Sequence, residues 1–312
     1  MSKIEWTTRT WNPMVGCSKV SAGCQNCYAI KDAHRLAGNP NPKISGVYAG
    51  LTERRGDRTE WTGKVNFLPQ RLELPIKTRK PTTWFVNSMS DLFHESVTDD
   101  QLDQIFAVMA LTPQHTYQVL TKRPARMLDY LSAAEKRVFK SACGLADDKP
   151  ELKSIPHQWP LPNVWLGVTV ENQKAADRIP LLLQTPSAVR FLSCEPLLEN
   201  VDLTRCGDSD YSIDSLTGAE PYGNSTRKGI VPRLDWVIVG GESGHGARPC
   251  HLPWIQDIVD QCAAAKVPCF TKQTGSNPWE HLVTGKGGDP QEWVNLGYNW
   301  PRQFPTLETK II

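Results

Sequence analysis

The segment Thr83-Trp84-Phe85-Val86-Asn87-Ser88-Met89-Ser90-Asp91 contains a short apolar run that stops abruptly at polar residues. An apolar run without polar alternation is typical of a strand that is covered on both faces of a parallel sheet. The same pattern, an apolar run followed directly by polar residues, recurs at 117–120, 164–168, 189–192, 236–239 and 267–270. The sequence therefore predicts at least six buried strands.

Amphipathic helices are predicted between several of these strands. Residues 101–111 and 253–265 place apolar side chains at helical spacing. Alternating strands and helices indicate an α/β fold with right-handed crossovers. With one more strand before the first cysteine, we expect a full or partial TIM-type (β/α) barrel.

One barrel domain is expected to span residues 1–276, with irregular insertions at about 38–75 and 206–233. Both insertions are longer than ordinary connections. Residues 277–312 contain Trp279, Trp293 and Trp300 and are predicted to be an irregular C-terminal extension packed on the barrel.

Composition narrows the class of protein. The 312 residues carry a formal net charge of +2, which gives no global electrostatic signature of nucleic-acid binding. The sequence has no run of about 18 apolar residues and no secretory signal, so we expect a cytoplasmic protein without a membrane span. Nine cysteines cannot all form internal disulfides, and clustered thiols in a reducing compartment indicate a metal.

The segment Gly16-Cys17-Ser18-Lys19-Val20-Ser21-Ala22-Gly23-Cys24-Gln25-Asn26-Cys27-Tyr28 has three cysteines in C-x6-C-x2-C spacing. Thiolates are soft ligands that favour zinc or iron–sulfur clusters. A closed zinc site needs a fourth ligand. His34 is one candidate, although residues 29–36 are predicted to form a helix with His34 on its surface.

A [4Fe–4S] cluster on Cys17, Cys24 and Cys27 would instead leave one iron open for S-adenosylmethionine (SAM). Reductive cleavage of SAM yields a 5′-deoxyadenosyl radical. The electron would come from an external donor of the flavodoxin or ferredoxin type. The barrel context favours this interpretation over zinc, because the cysteines follow the first predicted strand.

Six charged residues at or after strand ends form a second predicted feature. Active sites of α/β barrels lie at the carboxyl ends of the strands. The predicted ring consists of Asp91, Lys122, Glu171, Glu195, Glu242 and Lys272. Helix caps and solvated turns are the alternative explanation for any single member.

The chain resembles the phage Gp37/Gp68 family, proteins related to radical SAM enzymes, from Lys3 to Gly275. Besides the cysteine segment, the matching motifs are Trp11-Asn12-Pro13, Phe85 to His94, Val119 to Pro124, Trp165 to Gln173, Ser193 to Leu197 and Val239 to Gly244. The resemblance implies a radical SAM enzyme and leaves the reaction open.

Two departures from the usual radical SAM pattern affect the predicted SAM contacts. Asn26 stands where an aromatic residue usually precedes the last cysteine, and Tyr28 follows the cluster. Gly240-Gly241-Glu242 matches the Gly-Gly-Glu segment that holds the SAM amino group in radical SAM enzymes. In those enzymes the segment follows the second strand, whereas here it follows about the sixth. By position, Ser88, Ser90 and Asp91 are better candidates for that group.

The remaining candidate residues are assigned by chemistry. Glu171 or Asn172 would hold the SAM ribose or carboxylate, with a helix-start role as the alternative for Glu171. Gly240 and Gly241 would allow close approach of adenine or substrate, or simply form a tight turn. Lys122, Arg123 and Lys272 suit a SAM carboxylate or a substrate phosphate, unless they pair with Glu195 or Glu242, which are themselves candidate cofactor ligands. The thiol of Cys194 is a candidate hydrogen donor to a product radical.

Three functions remain open at this level. The first is a radical SAM enzyme acting on a nucleotide or nucleic acid, suggested by the arginine-rich segment 54–58 and the basic strand ends. The second is a radical SAM enzyme acting on a small metabolite or peptide. The third is a non-catalytic zinc or iron–sulfur binding module.

Overall fold

The structure is a computed structural model that describes residues 4–147, 158–207, 212–222, 232–279 and 287–306. The chain divides into two compact units. Unit 1 comprises Met1–Leu166 and Thr185–Ala188, and unit 2 comprises Gly167–Gln184 and Val189–Ile312. The predicted boundary after residue 276 falls inside unit 2 and stays a prediction.

Unit 1 contains four neighbouring strands of the main sheet, in the order β1-β6-β7-β8. Its strands are β1 (Arg9–Trp11), β2 (Met14–Val15), β3 (Thr52–Arg55), β4 (Arg58–Trp61), β5 (Asn66–Phe67), β6 (Thr83–Val86), β7 (Thr116–Thr121) and the first half of β8 (Val164–Thr169). Its helices are α1 (Tyr28–Ala37), α2 (Pro42–Tyr48), α3 (Glu73–Lys77), α4 (Asp99–Leu111), α5 (Pro124–Ala133) and α6 (Glu135–Asp147). The pairs β1/β6 and β6/β7 are parallel.

Helix α4 illustrates how the sequence determines an element of unit 1. Thr98 and Gln101 form a reciprocal capping box at its start, and Asp99 and Asp100 complement the positive end of the helix dipole. Most of its residues from Leu102 onward are buried. The helix predicted for residues 101–111 is thereby confirmed.

Unit 2 contains neighbouring strands in the order β8-β9-β13-β14. Its further strands are β9 (Val189–Cys194), β10 (Cys206–Gly207), β11 (Ser212–Asp214), β12 (Ala219–Tyr222), β13 (Trp236–Gly240) and β14 (Cys269–Gln273). Its helices are α7 (Ile179–Gln184), α8 (Leu252–Ala264) and α9 (Pro290–Asn295). The pairs β9/β13 and β13/β14 are parallel, whereas β10, β11 and β12 form a small antiparallel sheet.

The α/β class is confirmed, and the TIM-type barrel stays a prediction. The strand predicted at 267–270 begins two residues later, at Cys269. The reason is that Val267 still donates its backbone N–H to Cys262 of α8, and Lys266 has a positive φ of 57° at the turn out of that helix. Within the described ranges, no helix combines the length and apolar character needed to cross a membrane.

The predicted insertions contain regular structure. Residues 38–75 hold α2, the β3–β4 hairpin, β5 and α3, and residues 206–233 hold β10 to β12. Residues 208–211 and 223–231 of the second insertion lie outside the described residues. The C-terminal extension includes α9, and Arg302 donates to the carbonyl of Lys272 at 3.1 Å, which holds the extension against β14.

Candidate functional site

The three clustered cysteines lie on the loop that joins β2 to α1 in unit 1. Gly16 starts this loop with a φ of +96°, and a Cβ there would stand 2.2 Å from the Lys64 carbonyl oxygen, so only glycine fits. The Gly16 N–H donates to the Met89 carbonyl at 3.0 Å. This bond brings the beginning of the cysteine loop to the residues that follow β6.

Contacts of Lys19 and Tyr28 also anchor the cysteine loop. Lys19 Nζ lies 2.6 Å from Glu60 Oε2 of β4 and donates to the Gln25 carbonyl at 3.3 Å. Beyond the last cysteine, Tyr28 Oη donates to the Ser88 carbonyl at 2.7 Å. The loop is therefore fixed to the β3–β4 hairpin and to the end of β6 by contacts within unit 1.

All three thiols are free and half-buried. Burial, together with the charge of Asp91, raises the pKa of Cys17 to about 12, although Arg123 acts in the opposite direction. Burial also raises the pKa of Cys27, while the backbone N–H groups of Ala29 and Ile30 and the charge of Lys122 lower it. Without a bound metal these two thiols are protonated at neutral pH, so metal binding would have to displace their protons.

Arg123 contacts the sulfur of Cys17. Its Nη1 lies 3.8 Å from the Cys17 sulfur and 3.1 Å from Asp91 Oδ2. Its Nε donates to Glu95 Oε2 at 2.8 Å, and its Nη2 donates to Ser18 Oγ at 2.7 Å. The Arg123 side chain is only 10% exposed, so these contacts fix the guanidinium group beside the cysteine loop.

His94 also contacts the cysteine loop, but as a hydrogen-bond donor. Its Nδ1 accepts from the Ser96 N–H at 3.1 Å, which assigns the ring proton of the neutral form to Nε2. Nε2 lies 2.9 Å from Ser18 Oγ and donates to it. Burial, reinforced by Arg123, lowers the pKa of His94. Ser18 and His94 therefore do not form a nucleophile and base pair.

Asp91, predicted to hold the SAM amino group, is saturated by partners within unit 1. Its carboxylate accepts four hydrogen bonds, from the Phe93 N–H, Thr121 Oγ1, the Lys122 N–H and Arg123 Nη1. A carboxylate has about four lone-pair positions, so all of them are in use. Asp91 thus joins the end of β6 to the end of β7 and holds Arg123.

The two predicted serines are also engaged in local bonds. Ser88 Oγ lies 3.2 Å from Asn12 Oδ1 and 3.1 Å from Asn12 Nδ2, and Ser90 Oγ donates to the Met14 carbonyl at 3.1 Å. The SAM-binding role of Ser88, Ser90 and Asp91 stays a prediction.

Asn87, which the sequence analysis did not select, is the unusual residue at the end of β6. It has a positive φ of 59° and is 3% exposed. Neither its Nδ2 nor its Oδ1 has a hydrogen-bond partner among the described residues. Strained backbone and unpaired buried polar groups are concentrated at functional sites. The available sequence signal was an asparagine placed directly after a buried strand.

Two of the predicted unit 2 residues are held by neighbouring groups. Glu171, 1% exposed, pairs with Arg178 at 2.8 Å. Asn172 caps the short 3-10 helix Gln173–Arg178 by accepting from the Ala175 N–H at 2.9 Å. These contacts provide structural roles for both residues.

The other charged residues predicted in unit 2 form ion pairs. Arg248 donates Nη2 to Glu242 Oε1 at 2.6 Å and Nε to Glu242 Oε2 at 3.0 Å. Lys272 Nζ lies 2.9 Å from Glu195 Oε1, within ion-pair distance but without hydrogen-bond alignment. Lys272 thus adopts the ion pairing that was the alternative to ligand binding.

The predicted glycine pair is constrained by the neighbouring strand. A Cβ on Gly241 would stand 2.1 Å from the Thr274 carbonyl oxygen, and one on Gly240 would stand 2.9 Å from the Gln273 carbonyl oxygen. Packing therefore requires the absence of a side chain at Gly241 and leaves little room for one at Gly240. Whether a ligand also approaches this pair stays a prediction.

Cys194 is fully buried, and burial, together with nearby Cys262, raises its pKa well above the ordinary value. It lies in the core of unit 2 as a protonated, apolar side chain. Its predicted role as a hydrogen donor to a substrate radical stays a prediction.

A family model described as "Protein of unknown function (DUF5131)" matches residues 1–294. The chain belongs to the DUF5131 family. No curated protein and no solved structure matches it. The DUF5131 match covers the cysteine loop and every strand end discussed above, while kinship with the phage Gp37/Gp68 family stays a prediction.

The donor groups of this DUF5131 protein bear on its capacity to hold a metal. Within the part of the chain that the structure describes, no three His, Cys, Asp or Glu side chains are arranged to hold a metal ion. His34, the proposed fourth zinc ligand, is exposed and lies 3.2 Å from Thr52 Oγ1. The three thiols still fit a soft metal centre by their chemistry, since they share one anchored loop that has cations and helix-start amides beside it.

Proposed function

We propose that this DUF5131 protein is a radical SAM enzyme that holds one [4Fe–4S] cluster on Cys17, Cys24 and Cys27. The anchored three-cysteine loop beside the end of β6 is the observation that carries the proposal. When bound, such a cluster leaves one iron open for SAM and supplies the electron for its reductive cleavage. The proposal includes a barrel of the radical SAM kind and kinship with the phage Gp37/Gp68 family.

Side chains of unit 1 supply the polar groups that a SAM ligand needs. Lys122 is half-buried, its charge acts on Cys27, and no ion pair engages it within the described ranges. It is suited to the SAM carboxylate. The unpaired amide of Asn87 offers one donor and one acceptor, which is the pattern that a bidentate contact with an adenine edge requires. Because both amide atoms are buried, such a contact requires local opening at the end of β6.

A nucleotide is the proposed substrate class. The arginines of the β3–β4 hairpin, Arg54, Arg55 and Arg58, suggested an affinity for phosphate, but Glu53, Asp57 and Glu60 lie in the same segment, so its net charge is +3 − 3 = 0. A neutral hairpin favours a small nucleotide or metabolite over an extended nucleic acid, whose binding depends on several uncompensated cations.

Anaerobic reconstitution tests the proposed function. We expect a brown protein with about four irons per chain that releases 5′-deoxyadenosine from SAM with dithionite or a reduced flavodoxin. Tetrahedral zinc without SAM cleavage would instead identify a non-catalytic binding module. Mass spectrometry of products formed from a nucleotide pool, and binding to DNA and RNA across salt concentrations, would then distinguish the substrate classes.

A further inference from the structure

Arg123 is placed between the first cysteine and two carboxylates of unit 1. We infer that it is a positioning residue that sets the reduction potential of the cluster, an inference that rests on the proposed function. The description of the family assigns Arg123 no such role.

The geometry leaves the guanidinium group little freedom. All three nitrogens of Arg123 are used, since Nε contacts Glu95, Nη1 contacts Asp91 and Cys17, and Nη2 contacts Ser18. Ser18 is the residue that follows Cys17, so Arg123 holds both the ligand sulfur and the chain beside it. A planar fork can make these contacts together, whereas a lysine ammonium cannot reproduce them.

The charges that surround Arg123 determine how its removal would affect the reduction potential of the cluster. The single positive charge of Arg123 is paired with the negative charges of Asp91 and Glu95. Asp91 is buried, with an exposed fraction of 6%. Removing Arg123 would leave the buried Asp91 carboxylate uncompensated beside the Cys17 sulfur. Reduction adds one electron from the external donor to the cluster and needs no proton from Arg123. A cation and a hydrogen bond at a ligand sulfur therefore favour the reduced state, and their loss lowers the potential.

Arg126 on α5 provides a matched control. It also forms an ion pair with a carboxylate, that of Asp99, and its side chain is 31% exposed. No contact joins Arg126 to the cysteine loop among the described residues. Substitution of Arg126 removes an ion pair of the same kind and should therefore leave the midpoint potential of the cluster unchanged.

The experiment compares the wild-type protein with Arg123→Gln, Arg123→Lys, Arg126→Gln and Glu95→Gln. Each is reconstituted anaerobically and assayed for iron, and its midpoint potential is measured by redox titration monitored by electron paramagnetic resonance at low ionic strength. Arg123→Gln should disfavour reduction at least tenfold, which corresponds to about 59 mV for one electron. Arg123→Lys keeps the charge and should shift the midpoint less, and Arg126→Gln should not shift it.

Glu95→Gln should shift the midpoint in the opposite direction, because it removes a negative charge next to Arg123. Glu95 is exposed, so this variant tests the inference even if Arg123→Gln does not fold. The inference would be overturned if Arg123→Gln and Glu95→Gln both had a normal iron content and the wild-type midpoint potential. If Arg123→Gln is unfolded, the same result in Glu95→Gln alone would overturn it. If the wild-type protein takes up no iron–sulfur cluster, the proposed function itself fails, which is a distinct result.

Discussion

The phenol of Tyr28 donates a 2.7 Å hydrogen bond to the backbone carbonyl of Ser88, although the Tyr28 side chain as a whole is 53% exposed. This bond ties the first residue of α1, directly after the third cysteine, to the end of β6. Tyr28, the aromatic residue after the third cysteine, thus has a defined role in holding the loop.

We expect Tyr28→Phe to loosen the cysteine loop. Losing one hydrogen bond changes the free energy of unfolding by about 1 kcal/mol, and the larger effect should be faster loss of iron to a chelator after reconstitution. Tyr298→Phe in unit 2 is the control, because its hydroxyl makes no hydrogen bond to the described residues. Equal rates of iron loss in the two variants would argue against this role of Tyr28.

Single alanine substitutions of Cys17, Cys24 and Cys27 should each reduce bound iron to background and abolish SAM cleavage, since each removes one of three thiolate ligands. Cys143→Ala is the matched control, because Cys143 is an exposed free cysteine on α6. Iron and absorbance near those of wild type in Cys24→Ala would contradict the proposed ligand set.

Asn87→Gly separates a structural from a binding role of Asn87. Glycine accepts the positive φ and removes an unpaired buried amide, so the free energy of unfolding should stay within about 1 kcal/mol of wild type. Binding of SAM to the reconstituted protein, measured by equilibrium dialysis, should weaken at least tenfold.

Lys266→Gly is the control for Asn87→Gly, because Lys266 is the other non-glycine residue with a positive φ among those described. Its substitution should leave SAM binding unchanged. Loss of more than about 2 kcal/mol of stability in Asn87→Gly would mean that the amide has a structural partner.

Because His94 is buried, we expect the free energy of unfolding to depend on pH. Burial lowers its pKa below the ordinary value of 6.5, so between the folded pKa and 6.5 the unfolded chain binds more protons than the folded one. The free energy of unfolding should therefore fall as the pH drops below 6.5. Denaturant titrations of wild type and His94→Gln between pH 5 and pH 7.5 should show a shallower pH slope in the variant.

The apolar runs identified most of the strands, because a buried strand of a parallel sheet must be apolar on both faces. The five runs at 83–86, 117–120, 164–168, 189–192 and 236–239 lie within observed strands. The run at 267–270 was misplaced because local apolar composition does not reveal that a helix C-terminus still holds Val267.

The partners of charged residues were harder to predict. The sequence presented Asp91 and Lys122 as members of an open ring, but the parallel neighbours β6 and β7 bring Asp91 to the backbone that follows Thr121. Such a contact depends on strand register, which the charges themselves do not encode. Similarly, an unpaired amide such as that of Asn87 is defined by what surrounds it, and no sequence pattern reports that.

The tight packing at Gly241 affects how sequences of the DUF5131 family should be compared. The missing side chain of Gly241 is imposed by the carbonyl of Thr274, the residue directly after β14, so selection for folding alone should preserve this glycine in relatives that have lost any ligand. Gly-Gly-Glu at this place can thus persist, or arise by convergence, without descent from a SAM-binding ancestor. If the proposed function holds, a survey of DUF5131 sequences would identify members that can bind the cluster better by the three cysteines and Arg123 than by this glycine pair.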